Sequence, residues 1–182
     1  MVWWIILVVV VVIGLYFVGV YNKLVRLRNQ SEESEAAIDA HLKKRYDLIP
    51  NIVETVKGYA SHEKETLTAV IEARNKAMSA TTLAEKNDAA NAFSATLKTL
   101  FALSESYPDL KANQGFLDLQ SQLQKIENEL LNARKYYNAI VKDMNNMVQT
   151  IPSSIVASIT QFKKLPYLEI EEEAKAQVKV KF

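Results

Sequence analysis

Between Phe116 and Ile151, steps of three and four residues pick out Phe116, Leu119, Leu123, Ile126, Leu130, Ala133, Tyr137, Ile140, Met144, Met147 and Ile151, all apolar or aromatic. That period predicts a helix with one buried stripe. Polar and charged residues fill the intervals, so the seam is narrow, as in a coiled coil or a long bundle helix. At roughly 1.5–3 kcal/mol for each large apolar side chain buried, the stripe demands a partner surface of similar length. The stretch from Asn22 to Ala80 supplies one and reads as a single long helix, with Leu24, Leu27, Ile38, Leu42, Ile49, Ile52, Val56, Ala60, Leu67, Val70 and Ala77 on its stripe. Pro50 lies inside it. Proline removes a backbone donor and crowds the carbonyl four residues back, so Leu48-Ile49-Pro50 should mark a kink or a short break, with Asp47 as the cap of the broken helix.

The residues from Asn22 to Ala37 are mostly polar (Gln30, Ser31, Glu32, Glu33, Ser34, Glu35). They read as a poor core element: an exposed stalk, or a surface buried only in an oligomer. Thr82 followed by Glu85 has the form of a capping box and starts the next helix, whose apolar face is Ala90, Phe93, Leu97, Leu100 and Phe101. Tyr107-Pro108-Asp109 should stop it in a turn. The helix of the first seam then runs from about Asn113 to Pro152, and a short helix from Pro152 to about Gln161 follows. Short connections make neighbours antiparallel, so the expected fold is all-α: an N-terminal membrane helix, then an elongated antiparallel three-to-four-helix bundle over residues 22–165, up-down-up with the short helix closing it. Residues 166–182, with Glu169, Glu171, Glu172 and Glu173 before alternating Val178, Lys179, Val180, Lys181 and Phe182, read as an extended or disordered tail.

The start of the chain follows a different pattern. Val2 to Tyr21 holds no charged side chain, and these 20 residues would form a helix of about 30 Å, the thickness of a bilayer's hydrocarbon core. Residues 1–21 are therefore expected to be a transmembrane anchor in the lipid bilayer. Trp3 and Trp4 would mark one interface and Tyr21 the other, and Lys23, Arg26 and Arg28 follow directly, which places the body on the cytoplasmic side and the N-terminus outside. A cleaved signal peptide would need a basic start, a shorter apolar run and a small-x-small site, and none is present. Gly14 and Gly19 do not form the GxxxG pairing motif.

Composition narrows the function. With 22 basic and 21 acidic side chains the net charge is +1, and the basic clusters are interleaved with acids and lack an aromatic platform, so nucleic acid is not expected as a partner. Four Gly and four Pro leave few turns, and the absence of Cys removes disulfides, thiolate metal sites and cysteine nucleophiles.

Arg45-Tyr46-Asp47-Leu48-Ile49-Pro50-Asn51-Ile52-Val53 and Val56-Lys57-Gly58-Tyr59-Ala60 resemble the signature of the LemA family of bacterial membrane proteins. Later blocks, including Glu105 to Asn113, Glu127-Asn128, Ala133-Arg134, Tyr137-Asn138 and Ile151-Pro152-Ser153, are similar to the family's in the same order. The departures are small: Ser153-Ser154 stands where Ser-Asn is frequent, and Met144-Asn145 where an aromatic-Asn pair is common. The resemblance implies an anchor in the bacterial cytoplasmic (inner) membrane, a long antiparallel helical body, no known enzymatic activity, and a role in membrane organisation or partner scaffolding.

Arg45, Glu63 and Arg74 fall on or beside the stripe of the first long helix, and Glu127, Asn128, Arg134, Asn138 and Asn145 lie on the helix of the first seam. Charges near a bundle core are costly unless paired, so Arg–carboxylate and Asn bridges that fix register are expected, with Asp47 counted in the same network and Pro50, Tyr107, Pro108 and Pro152 at kinks or turns. A metal or other cofactor is not expected. His41 and His62 lack the Glu three residues earlier that a di-iron bundle needs, and His62-Glu63 lacks the second His of HExxH. Without a nucleophile beside a base, no enzyme is expected. The sequence points instead to a self-associating membrane scaffold, with an adaptor for a membrane protease or signalling protein as the alternative.

Overall fold

The computed structural model describes residues 2–169. Within them the chain forms α1 (Val2–Tyr59), α2 (Lys64–Ser79), α3 (Leu83–Leu103), α4 (Pro108–Lys111), α5 (Gln114–Gln149) and α6 (Ser153–Ile159), with a 3₁₀ turn at Ser104–Ser106 and no strand among the described residues. The expected tail lies outside the described residues from 170 onward.

The chain divides into two compact units, one of residues up to Ala36 with Lys135–Tyr167, the other of Ala37–Arg134 with Leu168 and Glu169. The first unit holds a core of Val20, Leu24, Leu27, Ile140, Met144, Val156 and Ala157, with Phe17, Met147, Val148, Phe162 and Leu165 packed against it. The α1 residues before it are uncharged, exposed, and long and apolar enough to cross a membrane. The polar stretch expected as a stalk is not one. Ser31 and Ser34 are buried within the chain itself, and their hydroxyls donate back to the carbonyls of Arg28 and Gln30 at 2.7 Å, which satisfies them without a partner helix.

In the second unit the expected break at Pro50 does not occur. α1 continues through it and ends at Tyr59, so Asp47 is an exposed mid-helix residue rather than a cap. The chain reverses instead at Ala60–Glu63, where Ala60 N–H bonds to Val56 O and Glu63 N–H to Ala60 O. The long helix expected over 22–80 is thus two helices. Tyr107 O–H donates to Glu63 at 2.9 Å and Asn113 Nδ2 to the Tyr59 hydroxyl at 2.9 Å, bracing both sides of this reversal.

The pairings give the helix directions. Asp39 meets Lys86 at 2.7 Å and Tyr46 meets Phe93 edge-on at 5.6 Å, so α3 runs parallel to α1. His41 meets Glu129 at 3.3 Å and Arg45 meets Glu127 at 2.6 Å, so α5 runs antiparallel to α1. The up-down-up-down order is therefore α1, α2, α3, α5, because the early reversal adds a helix that the sequence pattern merged. Thr82 caps α3 as a full capping box with Glu85, and Asn113 Oδ1 accepts from Phe116 N–H to cap α5.

Candidate functional site

Arg45 stands on the inner face of α1 with neighbours Leu42 and Ile49 also buried, and its own residue exposure is 0%. A guanidinium there must be fully partnered, because an uncompensated buried charge costs several kcal/mol on the order of a whole domain's stability. Its Nη2 lies 2.6 Å from Glu127 Oε1 on α5 and donates to Ser94 Oγ on α3 at 2.7 Å, while Nη1 donates to Ala90 O at 3.2 Å. The Phe93 ring lies 4.8 Å from the guanidinium carbon and adds a cation–π contact. One side chain thereby ties three helices, and the planar fork of Arg suits that task where a Lys point charge would not.

The cation forms one wall of an open cleft of about 390 Å³ against α3 and α5, where Lys98, Gln124, Glu127, Asn128 and Arg134 also reach the lining. Arg134 Nη1 donates to Asn91 Oδ1 at 3.1 Å, a second α5–α3 tie. Ser94 accepts from Arg45 and donates to Ala90 O at 3.1 Å, so its hydroxyl is held as a structural link. Leu97, Phe101, Leu123, Leu130 and Leu131 make up much of the lining, so the polar groups stand at the edge of an apolar floor. Among the described residues, no group of three or more His, Cys, Asp and Glu gathers as a metal would need.

The other sequence-selected residues fall in three places. Arg74 on α2 donates from Nε to Tyr46 O at 2.9 Å, and Glu63 accepts from Tyr107, whose phenol is pushed above its usual range by that hydrogen bond. Burial raises the Tyr46 phenol too, with the Arg45 charge pulling the other way. Asn128 is exposed at the cleft, and Pro108 opens α4 at its first position.

Asn145 lies in the first unit, where Nδ2 donates to Leu165 O and Oδ1 accepts from Leu165 N–H, each at 2.9 Å. Asn138 is half-buried on α5, and Pro152 directly precedes α6. Of the flank residues, Trp3, Trp4, Lys23 and Arg26 are exposed, Arg28 pairs with Glu32 at 3.1 Å, and Tyr21 packs edge-on against Phe162 at 6.2 Å. The structure thus brings Arg45 and Glu127 together and places Arg134 on the same cleft, while Asn145 serves a different unit.

Sequence reasoning missed Asn91, Ser94 and Asn113. Asn91, Ser94 and Lys98 form a polar row at steps of three and four beside the apolar face of α3, and that row was the available signal.

The LemA family model matches residues 34–182. The protein LemA of Metamycoplasma hominis is 26% identical over 155 residues, covering 81% of this chain and 69% of its own.

Proposed function

Because the chain belongs to the LemA family, we propose that it is a non-enzymatic single-pass protein of the bacterial inner membrane. In this reading its helical body is cytoplasmic and acts by self-association to organise or remodel the membrane. The observation that carries the reading is the start of α1. An uncharged run whose side chains before Phe17 find no cover within the chain passes without a break into a helix that builds a packed body. Apolar side chains left in water would cost about 25 cal/mol per Å², which a bilayer removes. Lys23, Arg26 and Arg28 beside Tyr21 support the cytoplasmic side for the body.

Anchored copies meet at high effective concentration, so weak lateral contacts are amplified. Ile71 and Met78 offer one such contact: they are exposed and seven residues apart on one face of α2. The test is crosslinking in native membranes followed by electron microscopy of the purified full-length protein. Ordered assemblies are expected, and monomers alone at ordinary expression would refute self-association.

The α3–α5 cleft favours a second reading, an adaptor that holds a membrane protease or signalling protein through an acidic or amide-bearing segment. A complex with one such protein that is lost on Lys98→Glu would support it.

A further inference from the structure

Ile151, Ile155 and Ile159 stand four residues apart and are 83%, 57% and 65% exposed, the most open apolar row in the described chain outside the α1 run. Ile155 and Ile159 lie one turn apart on the same face of α6, roughly 40° apart around the axis, while Ile151 sits in the turn that precedes the helix. The opposite face of α6, Val156 and Ala157, is buried in the core of the first unit against Val20, Leu24 and Leu27. The helix is therefore pinned by one side and bare on the other. A bare row of three isoleucines has no cause within the chain, because a polar residue at any of the three would leave the core unchanged.

The place of α6 says what covers the row. The buried α1 residues of that core run from Val20, the penultimate residue of the uncharged run, to Leu27, roughly 10 Å along the axis, with Phe17 packed against it one turn earlier. Phe162, just after α6, sits against Tyr21, the last residue of that run. The headgroup layer is about 5–8 Å deep on each side of the hydrocarbon core, so a helix at this level lies within it. Lys163 and Lys164 follow α6 and are exposed, as are Lys23 and Arg26 on α1 in the same unit. A bare apolar row beside exposed cations at the foot of a membrane span is the chemistry of an interfacial helix: apolar side chains in the acyl boundary, cations at lipid phosphates.

We infer that α6 is a second membrane contact, seated in the headgroup layer with Ile155 and Ile159 facing the lipid, Ile151 in the turn that enters it, and Lys163-Lys164 on anionic headgroups. The inference rests on the membrane-spanning reading of α1 and adds to it a fixed seat for the body against the bilayer surface.

The absence of cysteine in the chain makes the test direct. Single variants Ile155→Cys and Val11→Cys of the full-length protein are labelled with an environment-sensitive dye and reconstituted in vesicles containing phosphatidylglycerol. The vesicles carry nitroxide lipids quenching either near the headgroup or at the acyl-chain end. The dye at 155 should lose roughly half its emission to the shallow nitroxide and little to the deep one, and the dye at 11 the reverse. If the dye at 11 is quenched and the dye at 155 is not, the interfacial seat is overturned while the span stands. A dye at 155 that is shielded from water yet untouched by either nitroxide overturns it in favour of a second copy of the chain. If the dye at 11 escapes both nitroxides, the spanning reading falls and takes the seat with it.

Discussion

The Nε of Arg74 on α2 donates to the backbone carbonyl oxygen of Tyr46 on α1 at 2.9 Å, and that carbonyl is the one Pro50 leaves without a helical donor. In a regular helix the N–H of residue 50 would bond to the oxygen of residue 46, and proline has no N–H to give. α1 nevertheless runs through Pro50. The guanidinium stands in for the missing amide, so the proline and the arginine form one device.

Arg74→Met should therefore cost about 1 kcal/mol, the net worth of such a bond. In a Pro50→Ala background the amide returns to Tyr46 O and the cost of Arg74→Met should shrink by half or more. Urea unfolding of the four proteins measures this cycle. Additive costs would show that the two residues act independently.

Arg45 and Glu127 predict an asymmetry. Glu127 keeps partial contact with solvent while Arg45 has almost none, at side-chain exposures of 31% and 1%. Glu127→Leu strips the carboxylate from a buried cation and should destabilise by about 3–5 kcal/mol, whereas Arg45→Met leaves a carboxylate that can turn to water and should cost less. The double variant should be more stable than Glu127→Leu alone. Thermal melts of the three decide it, and a double variant as unstable as the sum of the singles would refute the pairing.

Tyr137 sets an alkaline limit. Burial pushes its phenol from 10.0 up to about 12, with the Glu35 carboxylate adding to the effect. An acid whose pKa rises on folding keeps its proton in the native state while the unfolded chain has lost it. Its contribution is full below the unfolded value of 10.0 and is lost as pH rises through the interval to about 12. Melting temperature should fall between about pH 10 and about pH 12, and Tyr137→Phe should flatten part of that fall. An unchanged slope in the Phe variant would place the alkaline loss elsewhere.

Asn145 holds Leu165 by both its N–H and its C=O. Asn145→Ala removes both bonds at once and should free the strand of chain that carries the exposed Lys163 and Lys164. Trypsin should cut there up to roughly thirtyfold faster, by loss of about 1 kcal/mol for each of the two bonds. Cleavage at the native rate would show that the apolar contacts of Phe162 and Leu165 suffice.

Much of the fold is visible in the spacing of apolar residues. Each stripe residue read from Leu24 to Ala77 is buried, because a seam at steps of three and four has only one way to face a neighbour. What escaped the pattern has physical causes. Ser31 and Ser34 count as polar, yet a hydroxyl that bonds its own helix behaves as a small core residue, and with them the row Leu24, Ser31, Ile38, Arg45, Ile52 is buried at every seventh position.

Pro50 looked like a break because the cure lies 24 residues further along the chain, in Arg74, and no local window holds both. The reversal after Tyr59 carries no proline, only Gly58 nearby, so its braces from Tyr107 and Asn113 are tertiary. Ile151 fitted the period of α5 but falls past its end at Gln149 and is left open. At the candidate site, Arg45, Glu127 and Arg134 were legible as charges beside a seam, while Ser94 and Asn91 were not, since small polar residues are common on any helix.

Asn145 and Tyr137 reach Leu165 and Pro166 through backbone atoms alone, the latter by a hydrogen bond from the phenol to Pro166 O at 3.2 Å. A grip on main-chain atoms does not depend on which side chains the gripped segment carries. Drift at Lys163, Lys164 and Tyr167, all exposed, leaves the path of this stretch intact, so its surface chemistry can be retuned to a new lipid composition while its course is kept. The task of holding the path falls to two residues of α5.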